Sequence, residues 1–275
     1  MSDTDTLPKN YVDPVRLGPD SAFTFRCHKG VPCFTDCCRK IHIVLTPYDI
    51  IRLKNRLGMT SEEFLAQYTT PELLEKTDLP VVTLKLLDDA RKSCPFVRDG
   101  EGCTVYEDRP TTCRYYPAGV GTLEQIDGAD GDEFYFLIKE PRCKGFNEDT
   151  DWTVAEWRRD QGVDIHDEIN AIWTDILVRK RSWPPNAQLS EQAKKMFFTA
   201  SYNIDKFKLF VSTTSFLQLY GIDDATVKAI REDEVELMKF GLRWLKWVMF
   251  KIGDFTINPE AARARQEIRE ADRAE

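Results

Sequence analysis

Eight cysteines are the residues of this sequence whose type and spacing could support chemistry. They are Cys27, Cys33, Cys37, Cys38, Cys94, Cys103, Cys113 and Cys143. Clustered cysteines more often bind metal or carry out redox chemistry than form disulfides, because disulfides are rare in a reducing compartment. A disulfide framework in a secreted domain and a set of unrelated buried thiols are the alternatives. We predict that all eight are metal ligands.

The first four cysteines fall within residues 27–38, a segment that also contains Gly30 and Pro32. A metal centre needs several thiolates within a few ångströms of one another, and a loop can curl to supply them more easily than a helix or strand. Cys37 and Cys38 are adjacent, so their side chains diverge by about 100° in a helix and by more in a strand. This spacing predicts that they serve two centres, or that one of them is not a ligand.

The other four cysteines are spread over residues 94–143. Cys94 and Cys103 open the two arms of a predicted β-hairpin, Cys113 follows a turn signal, and Cys143 follows a predicted strand. Cysteines at the ends of regular elements can be brought together without burying a loop. We therefore expect these four to contribute to the same metal-binding region.

Four thiolates suit either Zn²⁺ or an iron–sulfur cluster. Zinc sites usually contain paired C-x2-C knuckles, and none occurs in this sequence, which favours an iron–sulfur cluster over zinc. The radical-type C-x3-C-x2-C motif is also absent, because Cys37 is followed at once by Cys38. Eight ligands could serve two four-iron clusters, although their number alone does not decide it.

Several short motifs carry a resemblance to a known family. They are the run Cys27 to Cys38, then Cys94-Pro95-Phe96, Gly102-Cys103-Thr104-Val105-Tyr106, Arg109-Pro110, Cys113 and Tyr116-Pro117. In these motifs the chain resembles the YkgJ-type cysteine-cluster family, also called the CxxCxxCC domain family, over roughly residues 21–150. The resemblance implies a zinc- or iron-chelating domain. Because the family includes flagellin lysine N-methylases, it also implies an iron–sulfur cluster of the 4Fe-4S type, S-adenosylmethionine and methyltransferase activity.

Cys27 departs from the family pattern. Five residues separate it from Cys33, where the name of the family indicates two. We therefore expect Cys27 to contribute least to the metal centre.

Few residues are available for histidine acid–base catalysis, because the sequence has only His28, His42 and His166. His28 adjoins Cys27 and is either part of a mixed Cys/His centre or an exposed neighbour. His166 falls at a polar helix position and is predicted to face solvent.

Capping signals and apolar periodicity define the elements of the N-terminal half. Thr46 precedes a Pro-initiated helix that stops at Gly58, and the pair Thr60 and Glu63 is a capping box for a second helix. Residues 81–86 alternate and are predicted to form a strand. A further strand is predicted over residues 134–138.

The apolar spacing becomes helical after residue 151. The pair Thr153 and Glu156 caps a short helix, and an isoleucine stripe over residues 165–176 follows it. One long helix is predicted from Ser190 to Val211, and another over residues 235–252, whose apolar face is expected to pack on a neighbour.

These elements predict an α+β fold with a small cysteine-rich metal-binding domain packed on an α-helical C-terminal half. The predicted divisions are a disordered tail over 1–20, the cysteine-cluster domain over 21–150, an α-helical region over 151–258 and a charged tail over 259–275.

Composition excludes some classes of function. The net charge of −8 argues against nonspecific nucleic-acid binding. No stretch approaches the roughly 20 apolar residues of a membrane helix, and the polar N-terminus lacks a secretory signal, so a cytoplasmic location is expected. Arg109, Arg114 and Arg142 lie close to cysteines and either offset thiolate charge or are ordinary surface residues.

The sequence leaves three hypotheses for function. The first is a metal-binding protein with redox or cluster-dependent enzyme activity, and the second is a binding module with structural zinc. The third, methyl transfer, rests on the family resemblance alone. The substrate, a protein or a small molecule, is not identified by any motif.

Overall fold

The computed structural model of the protein describes residues 11–122, 133–184 and 187–264. The chain forms two compact units. The first comprises Met1–Asp49, Gln67–Thr70 and Val82–Glu168, and the second comprises Ile50–Ala66, Pro71–Val81 and Ile169–Glu275. Small antiparallel sheets accompany a helical C-terminal half, so the predicted α+β class is confirmed.

The strands are short and their sheets are small. They are β1 Ala22–Thr24, β2 Val44–Leu45, β3 Thr69–Leu73, β4 Pro80–Leu84, β5 Val97–Arg98, β6 Gly102–Cys103, β7 Ala118–Thr122, β8 Glu133–Leu137 and β9 Asp151–Thr153. β1 pairs with β9, β5 with β6 and β7 with β8, while β2, β4 and β3 form a three-stranded sheet in that order.

The helices begin and end close to the predicted capping residues. They are α1 Pro47–Leu57, α2 Ser61–Tyr68, α3 Thr111–Tyr115, α4 Val154–Gln161, α5 Val163–Arg181, α6 Glu191–Ser201, α7 Ile204–Thr213, α8 Phe216–Leu219, α9 Asp224–Glu232 and α10 Glu234–Phe250. The predicted Thr153–Glu156 capping box is present, and Gly162, at φ 65°, ends α4. Within the described residues, no helix has the length and apolar character that crossing a bilayer requires.

Residues 11–20 are a correction to the predicted disordered tail. Leu17 and Tyr135 exchange backbone hydrogen bonds of 2.8 and 2.9 Å, and the amide of Asp13 donates to the Leu137 carbonyl at 2.8 Å. The segment thus runs along β8, and the backbone groups at the edge of β8 form hydrogen bonds with it. Residues 1–10 lie outside the described residues.

The predicted long helix from Ser190 to Val211 is wrong, because the structure has two helices there. α6 ends at Ser201, and Asn203 begins α7 by accepting a hydrogen bond from the Lys206 amide at 3.2 Å. The apolar stripe continues through the break, so its periodicity alone did not reveal the interruption.

A core of aromatic side chains holds the second unit together. Gly241 of α10 allows the ring of Phe207 to approach so closely that an added Cβ would lie 2.7 Å from it. Trp244 is 7% exposed and stacks on the same ring, which agrees with the core packing predicted for α10. The ammonium of Lys54 bonds Glu234 at the start of α10 at 2.7 Å.

The core of the first unit surrounds Trp157 of α4. Its ring contacts the edge of Phe25 at a centroid distance of 5.5 Å, and its Nε1 donates to the Tyr115 carbonyl at 3.1 Å. Antiparallel pairing of β1 with β9 brings Phe23 opposite Trp152. Cys143 packs against this core, so the core helps to position one of the cysteine-bearing segments.

Candidate metal centre

All eight cysteines line one cavity of the first unit, with a volume of about 620 Å³. Each is a free thiol. The cavity therefore gathers thiols from segments more than a hundred residues apart in sequence, which the spacing predicted only in part.

Three of these cysteines form what we call the first corner, namely Cys27, Cys33 and Cys143. The Lys144 amide donates to the Cys33 sulfur at 3.0 Å, which joins the loop of Cys33 to that of Cys143. The Arg26 amide donates to the Gly145 carbonyl at 3.0 Å and brings Cys27 to the same place. A Cβ at Gly145 would lie 2.9 Å from the Arg26 carbonyl, so this approach requires glycine.

Cys94, Cys103 and Cys113 form the second corner. Cys103 lies on β6, opposite Val97 in the predicted hairpin, which the structure confirms. The Cys94 amide donates to the Cys38 carbonyl at 2.8 Å, and the Phe96 amide approaches the Cys94 sulfur at 3.5 Å. The hairpin thus presents two thiols beside the Cys37–Cys38 pair.

Cys113 is carried on α3, whose N-terminus is held by a buried network. Asp49, which is fully buried, accepts hydrogen bonds from both the amide and the hydroxyl of Thr111 at 2.9 and 2.8 Å. The same hydroxyl bonds His166 Nδ1 at 2.9 Å. His166 is 2% exposed, so its predicted solvent-facing position is wrong. Its polar partners lie on other elements, which helical periodicity does not report.

Two of the arginines that the sequence places close to cysteines are buried. Arg109 lines the cavity and stacks over the Tyr106 ring, while its guanidinium bonds the Gln161 side chain at 2.6 Å. Arg114 donates to the backbone carbonyls of Glu107, Gln161 and Arg109. The positive charges predicted near the cysteines are therefore built into the fold and are not ordinary surface charges at these two positions.

Arg142 has a different environment. It pairs with the carboxylate of Glu140 at 2.8 Å, and both residues line the cavity. Its hydrogen bond to Glu140 raises the pKa of the Arg142 guanidinium despite partial burial. Glu140 is 7% exposed and was not singled out by the sequence, because a lone glutamate before Pro141 gives no local signal.

Burial disfavours deprotonation of several of these thiols when no cation is nearby. Desolvation raises the pKa of Cys94 to about 11. It also raises the pKa of Cys113 well above its ordinary value, with added repulsion from Cys94 and Cys103. The pKa of Cys37 is raised by its hydrogen bond with Cys38 and then by desolvation. A bound metal would supply the positive charge that these thiolates need.

The donor chemistry of the cavity fits a thiolate-bound metal group. In the part of the chain that the structure describes, however, no three Cys, His, Asp or Glu side chains are already set together around one ion. His28 bonds Glu148 at 2.9 Å, and its side chain is 39% exposed, whereas His42 lines the cavity. The described residues thus form a cavity lined by thiols and not a preformed site for a single ion.

Comparison with known families bears directly on this cavity. Residues 26–150 match the family model CxxCxxCC, which is described as "Putative zinc- or iron-chelating domain". This segment, less than half of the chain, is similar to the CxxCxxCC family. It contains all eight cysteines, so the cavity and the family match refer to the same residues. No curated protein and no solved structure matches the chain.

Proposed function

We propose that the segment over residues 26–150 holds a cysteine-ligated iron–sulfur centre that serves electron transfer or a cluster-dependent reaction. The observation that carries the proposal is the gathering of eight thiols around one cavity of about 620 Å³. The family description supports metal binding in general and includes both zinc and iron.

The spacing of the thiols favours a cluster over single zinc ions. A structural zinc ion needs four donors at about 2.3 Å from one point, and the described residues contain no such preformed set. A cluster brings its own sulfide and can reach ligands that stand farther apart. When bound, it would supply a group that accepts and releases single electrons.

Residues of the chain would prepare the cavity for such a group. The thiols would bind it, and Arg109, which lowers the pKa of Cys103 against the larger effect of desolvation, would offset negative charge. The aromatic core around Trp157 would exclude water from one side. Tuning of an iron–sulfur centre by nearby charge and solvent exclusion is a general property of these sites.

Anaerobic purification followed by iron, zinc and acid-labile sulfide analysis tests the proposal. We expect a brown protein with iron and labile sulfide and a broad absorbance in the blue-violet from thiolate-to-iron charge transfer. A colourless protein with stoichiometric zinc and no sulfide would instead support the alternative, a binding module with structural zinc. Methyl transfer and S-adenosylmethionine stay predictions from the family resemblance.

A further inference from the structure

The cysteines of the cavity fall into two groups that are held by different parts of the backbone. The first corner is built by the loops around residues 26–33 and 143–145, which are joined by the Lys144–Cys33 contact. The second corner is built by the β5–β6 hairpin and α3. Each corner supplies three thiols.

Backbone contacts place Cys27 in the first corner. The amide of Arg26, which precedes Cys27, donates to the carbonyl of Gly145, two residues after Cys143, at 3.0 Å. Cys27 and Cys143 both line the cavity. The wide spacing to Cys33 therefore does not remove Cys27 from the group.

The Cys37–Cys38 pair lies between the two corners. Both residues belong to a 3-10 helix over Asp36–Cys38, in which successive side chains point in different directions. The Cys38 carbonyl accepts from the Cys94 amide in the second corner, and Cys37 lines the same cavity as the thiols of the first corner. The pair can therefore contribute to both sides.

We propose that the cavity holds two adjacent metal centres, each bound by the three thiols of one corner and by one thiol of the Cys37–Cys38 pair. This inference rests on the proposed function, because it requires that the thiols bind metal. Three thiols and one more complete the four-thiolate set that both iron–sulfur clusters and structural zinc use. Because Cys37 and Cys38 are adjacent in the chain, the two centres would lie side by side.

Metal content of paired variants tests the number of centres. One variant changes Cys27→Ser and Cys143→Ser, and the other changes Cys103→Ser and Cys113→Ser. Serine is close to cysteine in size and a poor ligand for soft metals. We expect each double variant to lose half of the wild-type metal per chain. A variant that combines all four substitutions, the four-fold variant, should lose nearly all of it. Thr213→Ala, which changes an exposed residue of α7 that does not line the cavity, should keep the full content.

The results separate the two proposals. A wild-type protein without metal would overturn the proposed function itself. Metal in the wild type that is abolished by either double variant would overturn the two-centre inference, because it would mean one shared centre. Unchanged metal in either double variant would also overturn it.

Staged metal removal from the wild-type protein tests the same inference without depending on whether the variants fold. Metal is withdrawn in stages with a chelator, and the exposed thiols are alkylated and located by peptide mass spectrometry. We expect Cys27, Cys33 and Cys143 to become reactive together, in a stage distinct from that of Cys94, Cys103 and Cys113. Release of all eight thiols in a single stage would contradict two centres.

Discussion

Asp49 shows how a residue outside the cysteine motifs determines where a candidate ligand lies. Its carboxylate caps α1 by accepting from the Thr46 amide at 2.9 Å, and it also fixes Thr111 at the start of α3. The sequence predicted the start of α1, because Thr46 precedes a proline at the first helical position. It could not predict the second role, because Thr111 is 62 residues away.

Thr111→Val tests the buried network at the residue scale. Valine keeps the shape of the side chain and the backbone amide but removes the hydroxyl that contacts both Asp49 and His166. Because those buried groups lose a partner, we expect the free energy of unfolding to fall by about 1–3 kcal/mol. Urea denaturation of the first unit measures this change.

Thr104→Val is the matched control for that variant. The Thr104 hydroxyl makes one hydrogen bond, to the Phe96 carbonyl, from an exposed residue. We expect a change within about 0.5 kcal/mol. An equal decrease in the free energy of unfolding of the two variants would show that the network around Asp49 does not stabilise the fold more than a single exposed hydrogen bond does.

Arg114→Lys tests the buried guanidinium. Arginine reaches three carbonyls with a planar fork, and the single ammonium of lysine cannot reproduce that geometry. We expect a loss of about 2–4 kcal/mol in the free energy of unfolding, because buried carbonyls lose charged donors. Arg98→Lys is the control, since Arg98 is exposed and donates to the carbonyls of Pro95 and Val97. A similar small effect in both variants would contradict the role of Arg114.

At the scale of elements, the β7–β8 hairpin depends on glycines that face phenylalanine rings. Gly119 pairs with Phe136 and Gly121 with Phe134, and each ring covers the glycine opposite it. An added Cβ would lie 2.5 Å from the Phe136 ring at Gly119 and 2.6 Å from the Phe134 ring at Gly121. The sequence predicted β8 from its aromatic alternation but missed β7, because glycines weaken a strand signal.

Gly119→Ala is expected to destabilise the hairpin. The methyl group would displace the Phe136 ring, which lines the cavity, so we expect a loss of about 1–3 kcal/mol in the free energy of unfolding from overpacking. Gly18→Ala is the control, since nothing lies within 4 Å of the added Cβ there. Thermal unfolding compares the two variants. If Gly18→Ala were the more damaging change, close packing of the ring would not explain the glycine.

Local signals account for the elements that the sequence predicted correctly. The Thr153–Glu156 capping box is formed by neighbours three residues apart, so the start of α4 could be identified without knowing the fold. Pairing of β1 with β9 joins Thr24 to Asp151, which are 127 residues apart, and no local pattern indicates it. The cysteine positions marked the candidate site, but their grouping into two corners depends on such long-range contacts.

For the whole molecule, the two compact units predict a separable response to metal removal. Ligands distant in sequence, such as Cys38 and Cys113, would be held together by metal, so metal binding contributes to folding of the first unit. We expect chelation to increase hydrogen exchange over residues 21–49 and 82–150 of the first unit, while the helices of the second unit keep their protection. Peptide-level exchange with and without chelator measures this.

The four-fold cysteine variant provides the control for that experiment. Without metal ligands, its exchange pattern should already resemble that of the chelated wild type, and adding chelator should change nothing further. Equal loss of protection in both units of the wild type, or no change at all, would contradict the prediction.

The pairing of β1 with β9 bears on how the cysteine-bearing segment could be inserted into another protein by gene rearrangement. Residues 22–24 and 151–153 are hydrogen-bonded neighbours, so the chain enters and leaves the cysteine-bearing segment at nearly the same place. A segment whose ends are adjacent can be inserted into a surface loop of a host without separating the two sides of that loop. A gene rearrangement that moves residues 22–153 would therefore carry all eight cysteines together between two neighbouring positions of an unrelated scaffold.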